Sequence, residues 1–264
     1  ERYDVHLQPL RINLGDNIYQ DGVDITPDEI YATFEKDRIL PKTSAPNPQE
    51  YIDYFRQWTD EGHEVVHISL GSGISSSHQN AKLASEELGN VYVIDSGNLS
   101  TGMGHLVIEA GERIKKGLPA SQIYEEVDAL KSKVHASFVI DTLTYLYEGG
   151  RCSALQAFSA SLLKIKPSIE VDNMSGKMDV GRKYRGSLTK AFKRYTKDQL
   201  TSHDNIKKDR VFITHSGTSQ ENIDVVKETI QELVDFDEVF ITRAGCTISS
   251  HCGPNTLGVL FMTE

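Results

Sequence analysis

The chain has 264 residues, 38% of them hydrophobic, and a formal net charge of −10. That length supports a large core and points to two domains, while charges of both signs, mixed along an acidic chain, argue against wrapping a nucleic acid. No apolar run approaches the ~20 residues of a membrane span and no charged-then-apolar leader opens the chain, so a cytoplasmic protein is expected.

Short β-rich runs alternate with amphipathic helices. ITPDEIYATF starts a helix, with Thr26 as cap, Pro27 at the first turn, Glu29 completing a capping box, and Ile25 and Ile30 as a hydrophobic staple. NPQEYIDYFRQW repeats the device with Asn47, Pro48 and Glu50, and its apolar stripe is Tyr51, Tyr54, Phe55 and Trp58. EVVHISL and VYVID read as strands, joined by a helix from Ser76 to Leu88 that Gly89 ends. Helical patterns follow near 102–116 and 121–133, then HASFVID as a strand. This alternation implies parallel βαβ units.

The second half begins at Gly149 and Gly150, the candidate domain boundary. SALQAFSASLLKI reads as a helix, and PSIEVDN and KMDVGRKY flank MSG as a hairpin. A helix near 187–200, the strand DRVFITHS, a helix near 219–234 with a box of Thr218 and Glu221, and the strands EVFITRA and LGVLFMT complete the pattern.

Three segments carry candidate chemistry. GSGISSS follows a strand and precedes a helix. Unpaired N–H groups at a helix start, serine hydroxyls, and glycines that let backbone approach a ligand would seat a carboxylate or a phosphate. LPKTSAPNP sets Thr43 and Ser44 in a loop bracketed by Pro41 and Pro46. ISSHCGPNTLGV puts His251 in a polar loop before the last strand, where it can donate to an anion or move a proton. Cys152, Cys246 and Cys252 read as reduced thiols. Cys246 and Cys252 beside His251 lack a second ligand pair of zinc type, so no metal is expected, and no cofactor is implied. Glu1, where an initiator Met would stand, leaves room for a native segment upstream.

Taken in order, LPKTSAP, LGSGISSSHQNA, VIDS, LTYLYEGGR, LLKIKPSIEV and HCGPNTLGV resemble the DegV family of bacterial fatty-acid-binding proteins across nearly the whole chain. The resemblance implies two α/β domains with the ligand between them. The first, residues 1–148, has a mostly parallel sheet flanked by helices; the second, residues 149–264, has a mixed sheet with a β-hairpin. The family pattern usually opens with a strand and an Asp-Ser-Thr turn, which this chain lacks. It further implies a buried long-chain fatty acid whose carboxylate is held by Thr43 and Ser75, with Ser44, Ser76 and His251 beside them. Such a protein presents the acid to a separate fatty acid kinase subunit that makes an acyl-phosphate, and is a carrier with no catalytic residue of its own. Arg151, from the Gly-Gly-Arg motif, is carried over with it. The chain departs from the family's Ser-Gly-Thr-Tyr, reading Ser75, Ser76, Ser77 and His78: Ser77 keeps a hydroxyl, Ser76 replaces a glycine and His78 replaces an aromatic.

A basic stretch from Lys164 to Arg194 contrasts with the acidic remainder and suggests a docking patch for an acidic partner or a departing phosphate, with Arg185 and Arg151 as candidates. A solvated charged face explains it equally simply. A serine hydrolase using Ser75 and His251 is the alternative function, but no G-x-S-x-G frames Ser75 and no Asp is assigned as third member. A phosphate or nucleotide binder is weaker still, without G-x-x-x-x-G-K-[ST] or a strand-framed G-x-G-x-x-G.

Overall fold

The computed structural model describes residues 2–153 and 165–264. The helix expected over SALQAFSASLLKI lies, from Ala154 to Lys164, outside the described residues. The architecture is mixed α/β, with a three-stranded antiparallel sheet, a two-stranded parallel sheet and one large mixed sheet that carries a hairpin.

The chain opens with a hairpin, β1 (Arg11–Leu14) and β2 (Asn17–Gln20). Helix α1 (Pro27–Asp37) follows behind the Thr26–Glu29 capping box. The expected loop around Thr43 is instead a short strand, β3 (Lys42–Ser44), antiparallel to β1 with Thr43 opposite Ile12. Three residues between prolines are too few to show a period-two pattern, which is why the sequence reads as loop. Helix α2 (Pro48–Thr59) has its Asn47–Glu50 box, and Tyr51, Ile52 and Phe55 are buried. Strands β4 (Val65–Ser69) and β5 (Val91–Asp95) pair in parallel across α3 (Ser77–Leu88), as the alternation predicts. Among the described residues β4 pairs with β5 alone. Helices α4 (Ser100–Lys115) and α5 (Ala120–Leu130) come next.

The run read as one strand over 135–141 splits into β6 (Val134–His135) and β7 (Ser137–Val139). Both hydrogen-bond to the last strand, β12 (Leu257–Met262), within the large sheet. A short helix, α6 (Thr144–Gly149), then ends at Gly150. Strands β8 (Ile165–Val171) and β9 (Met178–Arg185) form the expected hairpin. After α7 (Leu188–Thr201), strands β10 (Arg210–His215) and β11 (Glu238–Arg243) pair in parallel across α8 (Gln220–Leu233). The cap of α8 is Ser219, not the expected Thr218; the Thr218 hydroxyl accepts from the Asn222 side chain at 2.9 Å instead. The segment expected as a polar loop holds α9 (Cys246–Cys252), so His251 sits on a helix. The sheet order is β11-β10-β12-β7-β8-β9.

Helix α4 is tied to β10 by charge. The Glu109 carboxylate accepts from Arg113 and Lys207 at 2.9 Å each and also pairs with Arg210. Burial opposes ionisation of Glu109, but the bonds from Lys207 and Arg113 outweigh it and bring the carboxyl to about 2. Removing one member of a buried charge cluster strands the others, at roughly 3 kcal/mol. Glu109→Gln is therefore expected to lower the unfolding free energy by about 3 kcal/mol at neutral pH, read from urea midpoints. The group's folded value lies below its ordinary 4.5, so its contribution is complete above 4.5 and disappears toward 2. The gap between parent and variant should narrow over that window; equal midpoints at pH 7 would contradict this role.

Candidate functional site

The Thr43 strand, the Ser-rich turn before α3, α6 and α9 surround a cavity of about 350 Å³. Its described lining includes Thr43, Ser44, Ser75, Ser76, Arg151 and His251, the site residues the sequence points to, with Arg185 the exception. Arg185 is exposed at the end of β9 and is not part of this lining among the described residues. The remaining lining is chiefly apolar, including Leu146, Met178, Ile248 and Cys252. Sequence patterning does not separate these from ordinary core, because an apolar side chain facing a cavity and one facing its neighbours look alike in a string.

The Thr43 strand and the Ser-rich turn are held by bonds that are visible only in three dimensions. Thr43 Oγ1 lies 2.8 Å from His251 Nε2. The Asn13 side chain donates to Ser44 Oγ at 3.4 Å. The Asn80 side chain, on α3, donates to the Pro46 carbonyl at 2.7 Å and so joins the segment after β3 to the helix that follows the Ser-rich turn. In that turn the Ser77 amide donates to Ser75 Oγ at 3.1 Å, and the Ser75 and Ser77 hydroxyls are 2.8 Å apart. Ser76, at the cap position of α3, makes no side-chain capping bond. Asp95 accepts from the amides of Ser72 and Gly97 at 3.0 Å each, which fixes the preceding residues of the turn.

The turn's glycines serve packing rather than close approach to a ligand. A Cβ on Gly73 would stand 2.2 Å from the Ser175 carbonyl oxygen, so the tip of the β8–β9 hairpin presses backbone to backbone against this turn. Gly149 has a similar role at α6, because a Cβ there would stand 2.3 Å from His251 Nδ1. The Gly-Gly-Arg motif thus makes room for the imidazole, a role the sequence reading does not assign.

His251 is mostly buried, and its Nδ1 has no hydrogen-bond partner among the described residues. Burial, reinforced by the positive charge of Arg151, pulls it down to about 4, so the ring is neutral at pH 7. Burial also holds the Cys246 and Cys252 thiols up at about 12, and Cys246 Sγ donates to the Ile25 carbonyl at 3.2 Å. Among the described residues no group of three or more His, Cys, Asp or Glu is placed to hold a metal ion. Of the basic stretch, Lys166 pairs with Asp141 and Arg182 with Asp198, which neutralises part of that surface.

A larger cavity, about 470 Å³, runs along β4 and is lined by all of Val65 to Ser69 together with Tyr54, Phe55, Trp58 and Met103. Successive strand residues point to opposite faces, so a cavity touching five in a row follows the strand's edge and meets its backbone N–H and C=O groups. It is a different chemical setting from the hydroxyl-lined cavity.

A pocket with hydroxyls and a neutral imidazole converging at one part of an otherwise apolar wall suits an amphiphile with an oxyanion head. The chain belongs to the DegV family: the family model described as "Uncharacterised protein, DegV family" matches residues 1–264. A DegV domain-containing protein of Clostridium perfringens is 29% identical over 268 residues, spanning 100% of this chain and 93% of that protein. One from Clostridium acetobutylicum is 30% identical, over 99% and 92%. Among solved structures, a DegV family protein from Thermus thermophilus, described with fatty acid binding, is 28% identical with a TM-score of 0.88, over 97% of this chain and 91% of that one. A stearic acid-binding protein from Eubacterium ventriosum is 28% identical with a TM-score of 0.82, over 99% and 92%. No described helix is long and apolar enough to cross a membrane.

The His251 setting is directly measurable. Titration followed by NMR is expected to show its imidazole neutral down to about 4, against an ordinary 6.5. Gly149→Ala should push the ring out of its niche and move its midpoint back toward 6.5. A parent midpoint already at the ordinary value would refute the buried, neutral imidazole.

Proposed function

We propose that the chain binds a long-chain fatty acid, with the carboxylate held by Thr43 and Ser75, assisted by Ser44, Ser76 and His251, and the acyl tail buried in the apolar part of the same cavity. The observation that carries this reading is the gathering of all five residues on one cavity of about 350 Å³ whose other walls are largely apolar. The family relatives described as fatty-acid binders support it.

The chemistry is that of a charged head received by neutral donors. A buried carboxylate is tolerated when several hydrogen bonds replace its lost water. With His251 neutral, the tautomer carrying hydrogen on Nε2 donates to Thr43 Oγ1 and frees the Thr43 proton for a carboxylate oxygen. Ser75 Oγ accepts from the Ser77 amide and, with the Ser77 hydroxyl as donor in their 2.8 Å contact, keeps its own proton for the other carboxylate oxygen. The tail contributes about 0.8 kcal/mol per buried methylene, so a sixteen-carbon acid gains roughly 10 kcal/mol before ordering costs.

In this reading the protein is a cytoplasmic carrier that presents the acid to a fatty acid kinase subunit for acyl-phosphate formation. Arg151 beside the cavity and the exposed Arg185 are the candidates for contact with the phosphate or the partner. The hydrolase alternative gains nothing from the geometry. His251 Nε2 bonds Thr43, the Ser75 hydroxyl bonds Ser77, and His251 Nδ1 meets no orienting carboxylate among the described residues.

Organic extraction of the purified protein, followed by mass spectrometry, should release a long-chain fatty acid. Thr43→Val and Ser75→Ala should each weaken palmitate binding by about 10- to 100-fold in calorimetry, the value of a hydrogen bond to a charged group. An empty extract together with no palmitate binding would end this reading, and a covalent adduct on Ser75 after incubation with activated esters would favour the hydrolase. Arg185→Glu is expected to slow phosphorylation by the cognate kinase while leaving palmitate affinity unchanged; an unaltered rate removes Arg185 from the docking surface.

A further inference from the structure

The hydroxyl-lined cavity has two neighbours into which a tail could extend. It shares Leu10 and Leu70 with the larger cavity along β4, and Leu99, Ile248 and Cys252 with a void of about 30 Å³ beneath the large sheet. The β4 route is unsuitable, because an acyl chain lying there would cover strand-edge N–H and C=O groups without bonding them. The small void is walled chiefly by apolar surface. Four hydroxyls around it are already committed: Thr214 to Thr242 at 2.8 Å, Ser137 to Tyr195 at 2.9 Å, Thr256 to the Cys252 carbonyl at 2.9 Å, and Ser216 to the Gly253 carbonyl. With these hydroxyls bonded inside the protein, and His215 Nδ1 accepting from the Gly217 amide, the void offers a water few partners and suits a hydrocarbon end. Its volume matches about one small group, the share of a single water in the liquid.

We propose that Cys252 is the specificity-determining residue for acyl length: with Leu99 and Ile248 it frames the passage through which the last carbons of the tail reach the 30 Å³ void, where Phe138 and Ala136 close the path. Cys252 is buried in one apolar cluster with Phe138, Leu146 and Ile169, so the thiol stands between the cavity and the end wall. It is the smallest of the three framing side chains, and enlarging it blocks the passage. This inference rests on the fatty-acid reading and adds where the chain must stop.

The test is a calorimetric series of saturated acids from lauric to stearic on the full chain. The parent's affinity should rise about fourfold per added methylene, up to the longest acid that fits. Cys252→Leu should move that plateau to an acid shorter by about one carbon, so that the affinity of the longest acid relative to lauric acid falls about fourfold. Ala136→Val narrows the void from its far side and should shorten the plateau in the same direction, so it decides the matter should Cys252→Leu fail to fold. Variants that bind with the parent's plateau overturn the inference and leave the fatty-acid reading intact, as does a plateau that responds to Leu70→Phe and not to Cys252→Leu. A parent that binds none of the acids overturns both.

Discussion

The contact on which the site depends is the 2.8 Å hydrogen bond between Thr43 and His251, residues from opposite ends of the chain. It exists because two short elements meet there: β3, placed by pairing with β1, and α9, which precedes the last strand of the large sheet. Neither partner is strong alone. A threonine hydroxyl is a modest donor, and a neutral imidazole carries no charge. Both line the same largely apolar cavity as Ser75, where a fixed dipole acts with little screening by water. Burial keeps the imidazole neutral, and the tight niche at Gly149 sets where it stands.

Local features of the fold were legible in the sequence because their causes are local. The boxes at Thr26–Glu29 and Asn47–Glu50 form as read, since each needs only residues three apart. The β8–β9 hairpin and the parallel β4–β5 pair follow from turn chemistry and alternation. The failures share one cause. Strand β3 is a strand only because β1 lies beside it, and three residues carry no period. His251 reads as a loop residue in the sequence because CTISSHC is polar and short, yet α9 is stabilised from outside: Asp21 accepts from the amides of Cys246 and Thr247 at 2.6 and 2.8 Å. Thr218 lost the capping role to Ser219 because either hydroxyl fits the motif and only the backbone path decides.

The glycines teach a related point about sites. Gly73 sits in a stretch that reads as an anion cradle, yet its missing side chain accommodates the Ser175 carbonyl. The hydroxyls of the same stretch, Ser75 and Ser76, are the part that lines the cavity. One segment therefore carries two functions, a flat backbone face for the hairpin tip and a polar face for the cavity. The resemblance of ordered motifs points to these residues, and the structure places them along one cavity.

The Asp21 carboxylate has a wider consequence. It extends from the end of the first hairpin and grips the start of α9, while Thr43 of the neighbouring strand meets His251 near that helix's end. The helix is thus pinned at both ends by one small sheet, which fixes the donors at its flank. Under the proposed binding role, a cradle fixed in this way leaves little of its own to order, so more of the contact free energy remains as affinity.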